Sequence, residues 1–197
     1  MIMQLLKKTG CWFPLKRLVN RMRGDNSSEV KQGIVIGYGE KNGLKMFVET
    51  GTYQGEMVYA ARNSFDKIIS IELDEKLAAS AQSQLKNNSN ITIMQGDSAV
   101  VLPKVISTID QPVLFWLDGH YSAGVTARGD KDTPIMEELT SIFSQLKTKF
   151  VILIDDAHCF NGTGDYPTMD ELKEFVKKLN GDYLLEVTNN IIVINKP

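Results

Sequence analysis

The chain has little cysteine and little histidine, with two of each among 197 residues. Cys11 and Cys159 lie far apart in dissimilar contexts, which argues against a disulfide framework and favours a reducing compartment. No apolar run approaches the roughly 20 residues that span a bilayer. The first residues also lack the charged start, apolar middle and cleavage site of a signal peptide. We therefore expect a cytoplasmic globular protein, with enough chain for one sizeable domain.

Acidic residues are missing from residues 1–24, where lysine and arginine give a charge of +6 and leave −8 for the remainder. Apolar residues repeat at helical spacing between positions 15 and 22. The sequence thus predicts a basic amphipathic arm followed by a single domain over 25–197. Two interpretations of the arm stay open: peripheral contact with a membrane surface or a partner, or a helix packed on its own domain. The acidic body excludes a dedicated nucleic-acid module.

Apolar runs alternate with helical patterns from residue 46 onward. Five of these runs predict buried strands, at 46–50, 67–73, 91–95, 112–117 and 150–154. Two later runs flank Asn189 and Asn190 and predict an antiparallel hairpin. The fold prediction is α/β: a doubly wound, mostly parallel sheet covered by helices on both faces, with a C-terminal antiparallel hairpin.

Acidic residues stand at the carboxyl end of all five predicted parallel strands. In doubly wound sheets, ligands bind beyond these ends. Burying many like charges costs free energy unless cations or hydrogen-bond donors meet them. The strand ends are therefore the expected binding site, and the acids there are Glu49, Glu72, Asp97, Asp118, Asp155 and Asp156.

The segment after the first strand, ETGTYQG, has the features of a ligand loop. Gly51 allows a tight turn, and Gly55 allows a ligand to approach the backbone closely. Glu72 follows Gly51 by 21 residues, where a carboxylate can accept hydrogen bonds from both hydroxyls of a ribose. Asp97 stands where a polar side chain reaches an adenine ring, although Asp97 and Ser98 are equally suited to begin a helix. Together these positions favour a cofactor that contains a nucleoside.

FVETGTYQG, ISIELD and GDS resemble, in order, motif I, the acidic ribose motif and the adenine-contacting motif of class I S-adenosylmethionine-dependent methyltransferases. The resemblance covers about residues 46–195. It implies S-adenosylmethionine as the cofactor, with Gly51 and Gly55 beside its methionine part and Glu49 at its amino group. The cofactor-binding set that it implies is Glu49, Gly51, Thr52, Gly55, Glu72, Asp97 and Ser98.

Asp118, Asp155 and Asp156 converge if the fourth and fifth strands are neighbours. Three carboxylates suit a hard cation such as Mg²⁺. LDGH and LIDDAH also resemble the metal-dependent O-methyltransferases, which use an acid after strand four and an Asp-Asp or Asp-Asn pair after strand five. The Gly-His continuation departs from the catechol enzymes of that group. The resemblance implies a magnesium or similar divalent cation held by these three aspartates.

Both histidines, His120 and His158, stand two residues after an aspartate at a strand end. An imidazole with a pKa near ~6.5 can take a proton from a hydroxyl. We predict His120 as the base, beside Asp118, with His158 as the reserve candidate or a group near the metal. The following loop is polar and glycine-rich and predicts a lid, in which Tyr121 flanks the substrate. Arg128 either holds an anionic substrate group or is simply solvated.

The sequence thus predicts an S-adenosylmethionine-dependent O-methyltransferase that acts on a hydroxyl of a small molecule or sugar, assisted by a divalent metal. One alternative is a metal-dependent hydrolase that uses the two Asp-x-His sequences, although ETGTYQG and Glu72 argue against it. Another is a non-catalytic binding protein on a methyltransferase fold. The sequence does not identify the methyl acceptor, and whether the protein is an oligomer is also open.

Overall fold

The computed structural model describes residues 27–119 and 133–197, and in this part seven strands form one sheet in the order β3-β2-β1-β4-β5-β7-β6. The strands are β1 Met46–Thr50, β2 Lys67–Glu72, β3 Ile91–Gln95, β4 Val113–Leu117, β5 Phe150–Ile154, β6 Leu184–Thr188 and β7 Ile191–Asn195. β1 to β5 pair in parallel, whereas β7 runs antiparallel to both β5 and β6. The predicted fold class is confirmed.

Helices fill the connections between the strands. Within the described ranges they are α1 Ser27–Asn42, α2 Glu56–Ala61, α3 Glu75–Leu85, α4 Ser98–Ile106, α5 Ile135–Gln145 and α6 Met169–Leu179, with a single 3₁₀ turn at Ala157–Cys159. α1 was not predicted from the sequence. Three glycines interrupt its apolar pattern, and its buried residues, Gln32, Val35 and Gly39, include a polar side chain and a glycine. The helix therefore lacks the apolar stripe by which the others are found.

Each face of the sheet is covered by a separate hydrophobic core. Apolar residues of α1, α2 and α3 pack on one face, around the fully buried Phe47. Those of α4, α5 and α6 pack on the other, around the fully buried Phe115. β1 and β4 lie at the centre of the sheet and are buried along their whole length. Their carboxyl ends therefore lie side by side, which sets the position of the candidate site.

The C-terminal hairpin turns through Asn189 and Asn190, which have φ values of 49° and 64°. Two consecutive residues with positive φ are the geometry of a type I′ hairpin turn, in which asparagine is favoured. The turn pairs Thr188 with Ile191 and brings the Asn190 side chain next to the end of β5. The predicted hairpin is confirmed.

Some predictions fall outside the described residues. These are the basic arm over 1–24, His120, Tyr121 and Arg128. Among the residues that the structure does describe, no helix is both long and apolar enough to cross a membrane.

Candidate cofactor and acceptor site

The turn after β1 lies directly against the end of β4. Gly51 and Gly55 both have positive φ, at 86° and 78°. A Cβ atom on Gly51 would lie 2.3 Å from the backbone oxygen of Asp118, so the two chain segments can approach this closely only with glycine there. The Asp118 amide also donates to the Thr50 carbonyl at 3.0 Å. Of the segments singled out in the sequence, ETGTYQG and LDGH therefore meet at Gly51 and Asp118.

Glu49 is a buried carboxyl at the end of β1, with 1% of its surface exposed. The Ser70 hydroxyl donates a hydrogen bond to it. Burial raises the pKa of Glu49 well above its usual range; the Ser70 bond opposes this, and the charges of Asp118 and Glu72 add to it. A ligand that carries a positive charge would favour the ionised carboxylate here. The environment of Glu49 therefore suits a cationic group such as an amine.

Glu72 is held by the backbone of the two neighbouring turns. Its Oε2 accepts from the Tyr53 amide at 2.7 Å, and its Oε1 accepts from the Asp74 amide at 2.9 Å. The Thr52 hydroxyl lies 2.5 Å from that of Ser70, which ties the same turn to β2. Because each carboxylate oxygen has a second lone pair, Glu72 can still accept hydrogen bonds from two ligand hydroxyls.

Asp97 caps α4 through its side chain, which accepts from the Ala99 amide at 2.9 Å. The helix-start interpretation of this residue is therefore confirmed, and contact with an adenine ring stays a prediction. Ser98, also predicted to bind cofactor, is buried in the first turn of that helix.

An open cavity of about 220 Å³ lies beside α1 at the carboxyl end of the sheet. Its lining includes Glu49, Gly51 and Thr52 from the predicted cofactor set and Asp118 and Asp155 from the predicted acceptor set. The structure thus brings the two sets together around one space. Glu72 and Asp97 are not among its described lining residues; they follow β2 and β3, towards the outer edge of the sheet.

Lys31 of α1 also lines this cavity and contacts two of the predicted metal ligands. Its Nζ lies 2.6 Å from Asp155 Oδ2 and 3.4 Å from Asp156 Oδ1. Burial lowers the pKa of Lys31, but the hydrogen bond to Asp155 and the charges of Asp155, Asp156 and Asp118 outweigh this effect and raise it overall. The lysine is therefore a protonated ammonium ion at neutral pH.

The oxygens of these aspartates are engaged by groups of the chain itself. Asp155 Oδ1 accepts from the Asp156 amide at 2.8 Å, and Asp156 Oδ1 accepts from Asn190 Nδ2 at 3.1 Å. In the described part of the chain, no group of three or more His, Cys, Asp or Glu side chains is arranged to hold a metal ion. As placed, Asp118, Asp155 and Asp156 do not fit a divalent cation, and the predicted Mg²⁺ stays a prediction.

His158 lies against the hairpin turn. Its backbone amide donates to Asn190 Oδ1 at 3.0 Å, and its Nδ1 lies 3.1 Å from the same oxygen. The side chain is 68% exposed, and His158 is not among the described residues that line the cavity. As a reserve base it therefore stays a prediction, and Asn190 is the contact that the sequence did not reveal.

Two further residues of interest were missed, Lys31 and Glu138. Glu138 is 2% exposed, and no partner for its Oε1 occurs among the described residues. Burial raises the pKa of Glu138 to about 7, against a hydrogen bond from Ser98. A sequence signal did exist, because Glu138 stands within the apolar stripe of Ile135, Leu139 and Ile142. No comparable signal marked Lys31.

The sequence matches no protein-family model and no curated protein. Solved structures are similar in fold. A putative caffeoyl-CoA O-methyltransferase from Staphylococcus aureus is 12% identical, with a TM-score of 0.61 over 94% of this chain and 92% of that one. The O-methyltransferase TomG from Streptomyces achromogenes, in complex with SAM, is 16% identical, with a TM-score of 0.59 over 83% and 78%. The SAH-bound methyltransferase PaMTH1 from Podospora anserina is 17% identical, with a TM-score of 0.58 over 85% and 78%. Similarity at these identities shows the Rossmann-like methyltransferase fold.

Proposed function

We propose that this chain is an S-adenosylmethionine-dependent O-methyltransferase that acts on a hydroxyl of a small molecule or a sugar. The observation that carries the proposal is the contact of the Gly51 turn with Asp118, beside the buried Glu49, around one cavity. Two of the similar structures are named methyltransferases, and one of them is bound to SAH and the other to SAM. Their fold agrees with the order of the sequence motifs.

Each residue of the cofactor set has a place in this proposal. S-adenosylmethionine supplies, when bound, a methyl carbon attached to a positively charged sulfur. Glu49 accepts hydrogen bonds from the amino group, which provides the positive charge that a buried carboxylate requires. The turn from Gly51 through Thr52 to Gly55 admits the methionine part next to the backbone. The nucleoside is assigned to Glu72, Asp97 and Ser98, beyond β2 and β3.

The acceptor half of the site prepares the hydroxyl for reaction. Asp118 borders the acceptor at the end of β4, and the chain holds the acceptor oxygen in line with the methyl carbon, which supplies much of the rate. His120 would take the proton of the acceptor hydroxyl as that oxygen accepts the methyl group. His158 is the alternative base, and Tyr121 and Arg128 are assigned to the acceptor.

The test is isothermal titration with S-adenosylhomocysteine, using the wild type, Glu49→Gln and the exposed control Glu75→Gln. We expect Glu49→Gln to weaken binding about tenfold or more, because it removes about 1.4 kcal/mol or more of interaction with the amino group. The Glu75 variant should bind as the wild type does. If the wild type does not bind S-adenosylhomocysteine at millimolar concentration, the proposal is refuted. Hydrolysis of phosphate or ester model substrates in the absence of any nucleoside cofactor would favour the hydrolase alternative.

Transfer to oxygen is tested separately with a donor that carries a ¹³C-labelled methyl group. Incubation with a panel of phenols, sugars, amines and thiols should yield a labelled O-methyl product that NMR identifies by its chemical shift. Label found only on nitrogen or sulfur acceptors would contradict the assignment of an O-methyltransferase. The same assay, repeated with a chelator, tests the predicted divalent cation.

A further inference from the structure

Lys31 is the only basic residue among the described residues that line the cavity. Its ammonium ion contacts the aspartate pair at the end of β5, which is the pair assigned to a metal from the sequence. The Asp155 side chain is 5% exposed and that of Lys31 is 29% exposed. The ion pair therefore faces the cavity from its lysine side and is shielded from water on its aspartate side.

The position of this ammonium ion is set by the packing of α1. Val35, one turn further along the helix, is fully buried in the core beneath β1 and β4. Gln32 is also buried, and its Nε2 donates to the Ser28 hydroxyl at 3.1 Å. Because the helix on both sides of Lys31 is anchored in this way, the backbone position from which the lysine reaches the aspartate pair is fixed.

The ammonium ion and a metal ion require the same oxygen. Lys31 Nζ lies 2.6 Å from Asp155 Oδ2, whereas Mg²⁺ binds oxygen at about 2.0–2.1 Å. A metal on the cavity side of that oxygen would overlap the ammonium group, so the two cations exclude each other. Removing the lysine charge would leave two adjacent carboxylates without a cation, which is costly because one of them, Asp155, is buried.

One N–H of Lys31 is left for a ligand. A lysine ammonium has three N–H donors, and the described structure directs two of them, to Asp155 and Asp156. The third N–H is on the same ammonium group, and Lys31 lines the cavity together with Asp118. An acceptor with a hydroxyl or an adjacent ether or carbonyl oxygen provides the lone pair that this donor requires.

We propose that Lys31 is the cation of the acceptor half of the site: its ammonium ion takes the place of a divalent metal and donates a hydrogen bond to an oxygen of the methyl acceptor. This inference rests on the proposed function for the identity of the acceptor. The replacement of the metal by Lys31 does not rest on the proposed function, because the ion pair alone excludes a metal ion from the Asp155 oxygen.

The experiment compares Lys31→Met, which keeps the chain length without the charge, with Lys31→Arg, which keeps the charge. Lys41→Met, exposed at the other end of the same helix, is the matched control. Mn²⁺ binding is measured by electron paramagnetic resonance, S-adenosylhomocysteine binding by titration calorimetry, and methyl transfer with and without EDTA. The Mn²⁺ measurement requires neither cofactor nor acceptor, so it is independent of the proposed function.

We expect the wild type, Lys31→Arg and Lys41→Met to bind Mn²⁺ no more tightly than millimolar, and the activity of the wild type to be unchanged by EDTA. Lys31→Met should bind Mn²⁺ about tenfold more tightly, and its kcat/KM for the acceptor should fall about tenfold or more. Its affinity for S-adenosylhomocysteine should change by less than about threefold, because Lys31 is assigned to the acceptor and not to the cofactor.

Micromolar binding of Mn²⁺ by the wild type, or loss of its activity in EDTA, would overturn the replacement of the metal. Unchanged acceptor kinetics in Lys31→Met would overturn the hydrogen bond to the acceptor.

If circular dichroism shows that Lys31→Met does not fold, the Mn²⁺ and EDTA measurements on the wild type still decide whether Lys31 replaces the metal. The hydrogen bond to the acceptor is then tested with Lys31→Arg, whose longer planar group cannot reproduce the ammonium geometry. A raised KM for the acceptor would support the hydrogen bond, and an unchanged KM would overturn it. A wild type that does not bind S-adenosylhomocysteine would refute the proposed function instead.

Discussion

Glu138 is a carboxyl group at an apolar position, and its burial makes stability depend on pH. Its pKa is raised from 4.5 to about 7 in the folded protein. Between these values the folded state binds more protons than the unfolded state, so the free energy of unfolding falls as pH rises through this window. Glu138→Gln removes this titration. We expect the variant to match the wild type near pH 4.5 and to be more stable by roughly 3 kcal/mol above pH 7.

Urea unfolding of both proteins across that pH range measures this effect, and the difference between the two curves isolates Glu138 from the other acids. Glu137→Gln, the neighbouring partly exposed position, is the control and should show no such trend. A stability difference between wild type and Glu138→Gln that is constant with pH would show that folding does not raise the pKa of Glu138.

Individual site residues were predicted from the sequence where an acidic residue stood at the end of a predicted strand. Asp118 and Glu49 follow apolar runs, so the ends of predicted strands identified them. Glu138 had a weaker signal, because an acid inside an apolar helical stripe is most simply interpreted as lying on its edge. Lys31 had none, since its importance comes from Asp155, 124 positions away, and no local pattern encodes such a pairing.

At the scale of elements, the turn from Gly51 to Gly55 does not tolerate a side chain at Gly51. Gly51→Ala would place a Cβ atom against the Asp118 carbonyl oxygen, at a backbone φ of 86° that alanine rarely adopts. We expect a loss of about 2 kcal/mol or more in the free energy of unfolding. Binding of S-adenosylhomocysteine should weaken as well, because the turn and the end of β4 must move apart.

Gly37→Ala is the control for this prediction. Gly37 lies within α1, and a Cβ atom there would meet nothing within 4 Å. Alanine in a helix interior is favoured over glycine by about 1 kcal/mol, so this variant should be as stable as the wild type or more stable. Chemical denaturation and calorimetry of both variants provide the comparison. Equal stability of Gly51→Ala and the wild type would contradict the close approach of the two strand ends.

Elements were predictable where one periodicity dominated. β1 and β5 are continuous apolar runs because both faces of the sheet are covered, and the Thr168–Glu171 capping box marks the start of α6. α1 escaped prediction because only one of its three buried residues, Val35, is apolar with a large side chain, and the other two are Gln32 and Gly39. Its buried surface is therefore small and partly polar, which a hydrophobic pattern does not register.

At the scale of the whole molecule, strand order predicts a gradient of local stability. β1 and β4 pair with neighbours on both sides, whereas β6 pairs only with β7, at the edge of the sheet. Four of the five residues of β6 are exposed. Amides of β6 should therefore exchange with deuterium much sooner than those of β1 and β4, which open only in global unfolding.

Hydrogen exchange followed by mass spectrometry resolves these strands as separate peptides, and β3, at the opposite edge, is the internal comparison. Saturating S-adenosylhomocysteine should slow exchange around Gly51 and leave β6 unchanged, because β6 is far from the cavity in the sheet order. Equal protection of β6 and β4 would contradict the assignment of β6 as an edge strand.

The fold class followed from the alternation of strands and helices, but strand order did not. Periodicity specifies that a segment is buried and not which strand lies beside it, so the neighbouring positions of β1 and β4 came from the structure. The two halves of the site adjoin for this reason. Residues far apart in sequence, such as Gly51 and Asp118, meet because the strand order changes direction between β1 and β4.

The backbone contact between Gly51 and Asp118 has a thermodynamic consequence. With no side chain between the two segments, a displacement of the turn on cofactor binding is transmitted directly to the residue that borders the acceptor. The two binding equilibria are then linked, and each ligand changes the dissociation constant of the other by the same factor. A cofactor that tightens acceptor binding in this way is itself bound more tightly while the acceptor site is filled, so departure of the methylated product lowers the affinity for the spent cofactor.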